Sequence, residues 1–105
     1  MFAALSGDSN VKTLPDGLEM YKCTPEFDEG SVPAGLLKAH QTKAGTWGKI
    51  VIKSGKLSYR ILEPELEELV LTPEDHGVVE PTILHEVAPV GEVRFCVEFY
   101  RDPAT

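Results

Sequence analysis

Residues 46–61 have the sequence TWGKIVIKSGKLSYRI, in which apolar and polar side chains alternate on both sides of Ser54-Gly55. Alternation with a period of two is typical of a β-strand that has one buried face. A Ser-Gly pair between two such segments is typical of a tight turn. We therefore expect a β-hairpin with one buried face. Its expected core residues are Ile50, Ile52, Leu57, Tyr59 and Ile61.

The rest of the chain consists of short apolar runs separated by Gly and Pro, including a turn-like Pro89-Val90-Gly91 segment. Pro64 and Pro73 limit any helix in the Glu- and Leu-rich segment between them to about two turns. Roughly seven or eight strand candidates without a convincing helix predict an all-β fold, an antiparallel sandwich or barrel. The length of 105 residues suits one domain. We expect a flexible lead-in over residues 1–17 and a single domain over residues 18–102.

The charge balance indicates which partners to exclude. Seventeen acidic and ten basic residues give a net charge of −7. Nucleic acid and anionic membrane surfaces are bound by clustered Lys and Arg, and here the basic residues are scattered, so neither partner is expected.

The sequence has no apolar run near the ~20 residues that cross a bilayer, and its first residues do not resemble a secretory signal. We therefore expect a cytoplasmic protein in which Cys23 and Cys96 are free thiols.

Two of the three histidines are candidates for chemistry. Ile83, His85 and Val87 share one face of a predicted strand, so the His85 imidazole points toward apolar neighbours. His40 also lies near an apolar run, and the two histidines flank the predicted hairpin, so a closed barrel can bring the rings together. The alternative is a core histidine satisfied by one hydrogen bond. His76, in the turn-like segment Pro-Glu-Asp-His-Gly, is expected to be exposed.

Two neutral imidazoles and a carboxylate form a common site for a divalent transition metal. Glu80 and Glu98 are the carboxylate candidates, although an ion pair with Arg94 or with a basic residue of the next strand is the alternative role for Glu98. The metal interpretation gives Zn, Fe, Ni or Mn as the cofactor. Its ligands are His40, His85, Glu98 and Glu80. The sequence has no Gly-rich phosphate loop, HExxH or GxSxG motif that would indicate another chemistry.

Three segments together resemble a known family. They are residues 21–61, residues 77–87 (GVVEPTILHEV) and residues 93–102 (VRFCVEFYRD). They resemble the tellurite-resistance-associated TehB/YeaR-like domain, which occurs alone in YeaR-like proteins and at the N-terminus of some TehB-type methyltransferases. The resemblance covers roughly residues 14–102.

The resemblance implies a small cupin, an antiparallel β-sandwich rolled into a barrel (a double-stranded β-helix). It implies that His40 and His85 face the barrel interior, with Glu98 and Glu80 as further pocket residues. The sequence departs from the general cupin metal pattern, since Gln41 and Thr42 follow His40 where a second histidine is usual. Methyltransferase activity does not carry over, because that activity belongs to a separate cofactor-binding domain.

Three functions remain open at this point. The first is a binding module whose pocket holds a divalent metal or a small anionic ligand, in a response to tellurite or oxidative stress. The second is a metal-dependent enzyme, an oxygenase or isomerase, that uses the same pocket with Glu80 or Glu98 as the base. The third is a structural or interaction domain with a vestigial site, for which a homodimer is expected.

Overall fold

The structure, a computed structural model, describes residues 14–37, 42–63 and 65–103. These residues form six β-strands, one turn of 3-10 helix (Ala34–Leu36) and no α-helix. The strands are β1 (Glu19–Cys23), β2 (Phe27–Asp28), β3 (Trp47–Ile61), β4 (Glu67–Leu71), β5 (Gly77–Val79) and β6 (His85–Arg101). All pairs are antiparallel in the order β1-β6-β3-β4, with β2 also on β6 and β5 also on β3. The predicted all-β, antiparallel class is confirmed. His40 and residues 1–13 of the predicted lead-in lie outside the described residues.

The two longest strands, β3 and β6, pair with each other along almost their whole length. The predicted hairpin is therefore wrong, because Ser54-Gly55 lies inside the 15-residue strand β3. The predicted turn at Pro89-Val90-Gly91 is wrong for the same reason, since it lies inside the 17-residue strand β6. The segments around the predicted hairpin turn and the predicted Pro89-Val90-Gly91 turn are instead the two strands of one long ribbon.

Bulges replace the predicted turns. The register of β3 on β6 shifts between Ile52 and Ser54 and again between Gly55 and Lys56. Gly55 has a φ of +80°, and a Cβ there would overlap the carbonyl oxygen of Glu92. A bulge bends a strand and strengthens its twist. A bulge and a tight turn can both place glycine at positive φ, so the local sequence suits either one.

The two halves of the bent ribbon have different partners but one core. The first half of β3 pairs with β5, and the second half pairs with β4. Residues from both halves belong to one buried cluster, so the two halves share a single core. The cluster consists of Ile50, Ile52, Leu57, Tyr59, Ile61, Leu71, Val79, Val87, Val93, Phe95 and Val97. All five core residues predicted from the alternation are among them.

Strand β1 lies at one end of the strand order, and its five residues are exposed. Pro25 lies two residues after the end of β1, where a missing backbone N–H removes no hydrogen bond from the sheet interior. β1 is therefore an edge strand of the sheet. Within the ranges that the structure describes, no helix is long and apolar enough to cross a membrane.

Candidate functional site

A small cavity lies between the inner faces of β3, β5 and β6 and encloses about 30 Å³. That space holds a water molecule or one small chemical group. Among the residues that the structure describes, most of its wall is apolar, and the polar side chains are those of Thr42 and His85. The apolar residues are Leu36, Ile50, Val79, Val87, Phe95, Val97 and Phe99, with Gly48 completing the wall.

Gly48 contributes to the cavity by having no side chain. A Cβ at this position would lie 3.2 Å from the Cβ of Val79 on the neighbouring strand β5. That separation is shorter than ordinary van der Waals contact, so a larger residue would push the two strands apart or fill the cavity. Gly48 and Val79 are direct partners in the sheet. The glycine therefore leaves room where the first half of β3 meets β5.

His85 is the buried polar group of the cavity wall. It begins β6 and is 4% exposed. Its Nδ1 lies 3.0 Å from the carbonyl oxygen of Ile83. A carbonyl oxygen only accepts hydrogen bonds, so Nδ1 carries a proton, and in the neutral ring Nε2 is then the acceptor. The ring also meets Tyr59 edge to face, with 5.8 Å between the ring centroids.

Thr42 connects two loops at the cavity. Its hydroxyl donates a hydrogen bond to the carbonyl oxygen of Thr46, 2.9 Å away. Its own carbonyl oxygen accepts a bond of 3.1 Å from the backbone N–H of Thr82. Thr82 has a φ of 64°, a left-handed conformation that is rare for a β-branched residue. The segments before β3 and before β6 are therefore held together beside His85.

Thr42 was not among the site residues predicted from the sequence. The signal available was a threonine on each side of the Gly45 turn, since threonine hydroxyls readily bond to nearby backbone groups in turns. His76 was also misplaced. It was predicted to be exposed, but it is half-buried, and its Nδ1 accepts a hydrogen bond of 3.2 Å from the backbone N–H of Ile52.

Glu80 lies close to the Tyr59 end of the core. Burial is the main cause that raises the pKa of the Tyr59 phenol, and the negative charge of Glu80 raises it further. Glu80 itself is half-buried, directly after β5.

Glu98 is on the opposite face of β6 from the cavity. Val93, Phe95 and Val97 point into the core, and strand alternation places Glu98 on the other side. There it accepts a hydrogen bond of 2.7 Å from the hydroxyl of Tyr100. The alternative ion pair with Arg94 is not formed, since Arg94 pairs with Glu26 at 3.1 Å.

Comparison with known proteins identifies relatives. The family model for the TehB-like domain matches residues 22–97. The chain is 34% identical over 80 residues to the probable S-adenosyl-L-methionine-dependent methyltransferase TehB of Haemophilus influenzae. It is 32% identical to the protein of the same name from a second strain of that species. The aligned part is 72% of this chain and 28% of each relative, so the chain spans under a third of their length.

Solved structures agree with this relationship. The crystal structure of TehB from H. influenzae superposes with a TM-score of 0.77 at 30% identity, covering 83% of this chain and 32% of that one. A crystal structure of a protein from E. coli K12 superposes with a TM-score of 0.80. It covers 89% of this chain and 99% of that one, at 18% identity, which shows a shared fold.

The predicted divalent-metal cofactor is wrong. Among the residues that the structure describes, no three His, Cys, Asp or Glu side chains are grouped as metal ligands. The names of the two relatives specify S-adenosyl-L-methionine as their cofactor, not a metal. Zn, Fe, Ni and Mn do not fit this cavity as cofactors. The described part of its wall consists mainly of hydrocarbon side chains, which offer no ligand atoms.

Proposed function

Because the chain belongs to the TehB-like domain family, we propose that it is a small-molecule-binding module whose ligand enters the cavity beside His85. One observation carries the proposal: a buried imidazole lines a cavity whose other described wall residues are, apart from Thr42, apolar. A concave apolar surface with one or two placed polar groups is the usual form of a small-ligand site.

The wall of the cavity selects the chemistry of the ligand. Seven apolar side chains favour a hydrocarbon group, and a space of about 30 Å³ admits a compact one such as a methyl group or the edge of a ring. His85 and Thr42 can bond a single polar atom next to that group. A small anion, one of the two ligands expected from the sequence, is disfavoured by the charge of Glu80 near Tyr59 and by the net charge of −7.

The same arrangement supports the cupin interpretation of the fold. In a double-stranded β-helix, long bent strands pair around one interior, and β3 and β6 pair in this way. We take residues 18–102 as the domain.

Free Cys23 and Cys96 suit the cytoplasm, where thiols stay reduced. A response to tellurite or oxidants is the setting that the family resemblance implies.

The methyl-transfer activity named for the relatives is not part of the proposal. The alignment covers 28% of each relative's length, so it does not transfer the activity named for the whole relative to this chain. An oxygenase or isomerase that needs a metal loses its support with the metal. A structural or interaction role, including a homodimer, is the outcome if the cavity binds nothing.

The test is a binding screen by nuclear magnetic resonance. Uniformly 15N-labelled protein is titrated with small neutral molecules that each carry one methyl or aryl group and one polar atom. Binding should shift the amide signals of Thr42, Val79, His85 and Val87 together, and the side-chain 15N signals of His85. The proposal is contradicted if every molecule of the library shifts only the signals of amides on the protein surface.

A matched pair of variants localises the binding. Val87→Phe places a ring in the cavity and should abolish the shifts. Val90→Phe makes the same change three residues along β6, at a side chain that is 47% exposed, and should leave binding unchanged. Gly48→Ala narrows the cavity with a smaller change, which keeps the test valid if Val87→Phe does not fold. Equal affinity in all four proteins would place the ligand elsewhere.

A further inference from the structure

Two cysteines lie on neighbouring strands, on the face of the sheet that points away from the cavity. Cys23 ends β1 and is the register partner of Glu98 on β6. Residues two apart in a strand share a face, so Cys96 is on the same side as Glu98. Cys96 is therefore a diagonal neighbour of Cys23 across the β1–β6 pair, within reach of its side chain.

The pairing continues past Cys23 and holds the two strands close at this point. The backbone N–H of Thr24 donates to the carbonyl oxygen of Val97 at 2.9 Å. The backbone N–H of Val97 donates in return to the hydroxyl of Thr24, also at 2.9 Å. These two bonds lie directly between the cysteines, whose thiols are both free.

The two thiols differ in how much of them oxidants can reach. Cys23 is exposed, whereas Cys96 is 7% exposed. Burial is the main cause that raises the pKa of the Cys96 thiol, and the neighbouring Cys23 raises it further. Because the thiolate is the nucleophile, an oxidant meets Cys23 first and Cys96 second.

The strand that carries Cys23 has room to adjust. A disulfide needs its two Cβ atoms about 3.8 Å apart, which is closer than an undistorted diagonal pair. All five residues of β1 are exposed, β1 lies at the edge of the sheet, and its register on β6 shifts between Met20 and Lys22. An exposed edge strand with a bulge can move toward its partner at a smaller cost than a central strand.

We propose that Cys23 and Cys96 form a redox-active pair that a hydroperoxide converts into an intramolecular disulfide, joining β1 to β6. The Cys23 thiolate attacks the outer peroxide oxygen, the O–O bond breaks, and an alcohol or water leaves as Cys23 becomes a sulfenic acid. The sulfur of Cys96 then attacks the sulfur of Cys23, its proton combines with the departing hydroxide, and water is released. Two thiols and one hydroperoxide thus give one disulfide, one alcohol and one water. The inference does not depend on the ligand of the cavity.

The experiment exposes the reduced full chain to hydrogen peroxide at micromolar protein concentration and measures intact mass without reductant. The product should be a monomer about 2 Da lighter than the starting protein. After tryptic digestion, the peptide that begins at Cys23 should be found linked through the disulfide to the peptide Phe95–Arg101. A reductant should separate the two peptides.

Two single variants establish the order of the steps. In Cys96→Ser, Cys23 should stop at the sulfenic acid and form an adduct with dimedone. In Cys23→Ser, the buried Cys96 should be oxidised at least about ten-fold more slowly than Cys23. The proposal is overturned if the wild-type chain gives only dimers linked between molecules, or if it accumulates sulfenic and sulfinic acid without the joined peptides. It is also overturned if Cys96 reacts as fast as Cys23.

Discussion

The hydroxyl of Tyr59 donates a hydrogen bond to the carbonyl oxygen of Val78, 3.1 Å away, and so joins the second half of β3 to β5. β5 pairs in the sheet with the first half of β3, through residues 48–50. Tyr59 is 1% exposed, with its ring against His85. One side chain therefore connects both halves of the bent ribbon at the wall of the candidate site.

Replacing Tyr59 with Phe should destabilise the protein by about 1–3 kcal/mol, because a buried carbonyl loses a donor while the packing of the ring is kept. Urea unfolding followed by fluorescence measures the change. Tyr21→Phe is the matched control. Tyr21 is 39% exposed, and its hydroxyl lies 3.5 Å from that of Thr46. Tyr21→Phe should therefore lower the free energy of unfolding by no more than about 0.5 kcal/mol. Equal losses in the two variants would contradict the role of Tyr59.

Alkaline pH should weaken the fold through the same tyrosine. Burial, and then the charge of Glu80, raise the pKa of Tyr59 above its ordinary value. Because the folded-state pKa lies above the unfolded one, the stabilisation is complete below the unfolded value of about 10 and is lost as pH rises through the folded value. The free energy of unfolding should therefore fall steadily above pH ~10.

Tyr59→Phe separates this contribution from other alkaline effects. Tyr100 behaves in the same direction, because its hydrogen bond to Glu98, followed by burial, raises its pKa to about 12. Because both folded-state pKa values lie above the unfolded value of about 10, the wild-type chain should lose more stability between pH 9 and 11 than either Tyr59→Phe or Tyr100→Phe. Parallel stability curves for wild type and Tyr59→Phe would show that Tyr59 titrates alike in the folded and unfolded chains.

The bulge at Gly55 gives a prediction with an internal control. Gly55 and Gly45 have nearly the same backbone angle, φ +80° and +83°, but only Gly55 lies against backbone atoms of β6. Gly45→Ala should cost about 1–2 kcal/mol for the left-handed conformation alone. Gly55→Ala should cost clearly more, since the new methyl group meets the Glu92 carbonyl. Thermal unfolding of both variants measures the difference, and equal costs would mean that the bulge opens freely.

The sequence predicted the strand faces well because burial follows side-chain alternation closely. Ile50, Ile52, Leu57, Tyr59 and Ile61 were expected in the core and are there. The alternation could not show how the strands connect. A Gly at positive φ serves a turn or a bulge equally, and only the long-range pairing of β3 with β6 decides between them.

The candidate site was predictable only in part. The apolar neighbours of His85 indicated its burial correctly. Glu98 was harder to place because β6 carries apolar side chains on both faces: Phe95 and Val97 point inward, while the buried Cys96 is on the outer side with Glu98. With both faces partly apolar, the sequence alone does not tell which face lines the cavity. The Thr42 backbone contact with Thr82 depends on tertiary packing and leaves no local pattern.

His76 provides the last prediction, because its Nδ1 accepts the backbone N–H of Ile52 at the point where β3 shifts register on β6. His76→Ala removes that acceptor and should destabilise the fold by about 1 kcal/mol. His76→Asn offers a side-chain oxygen near the position of Nδ1 and should recover a substantial part of the loss. Amide hydrogen exchange gives a local measure: the Ile52 amide should exchange faster in His76→Ala than in His76→Asn. If the two variants exchange at the same rate, the imidazole stabilises this bulge by packing and not by accepting the hydrogen bond.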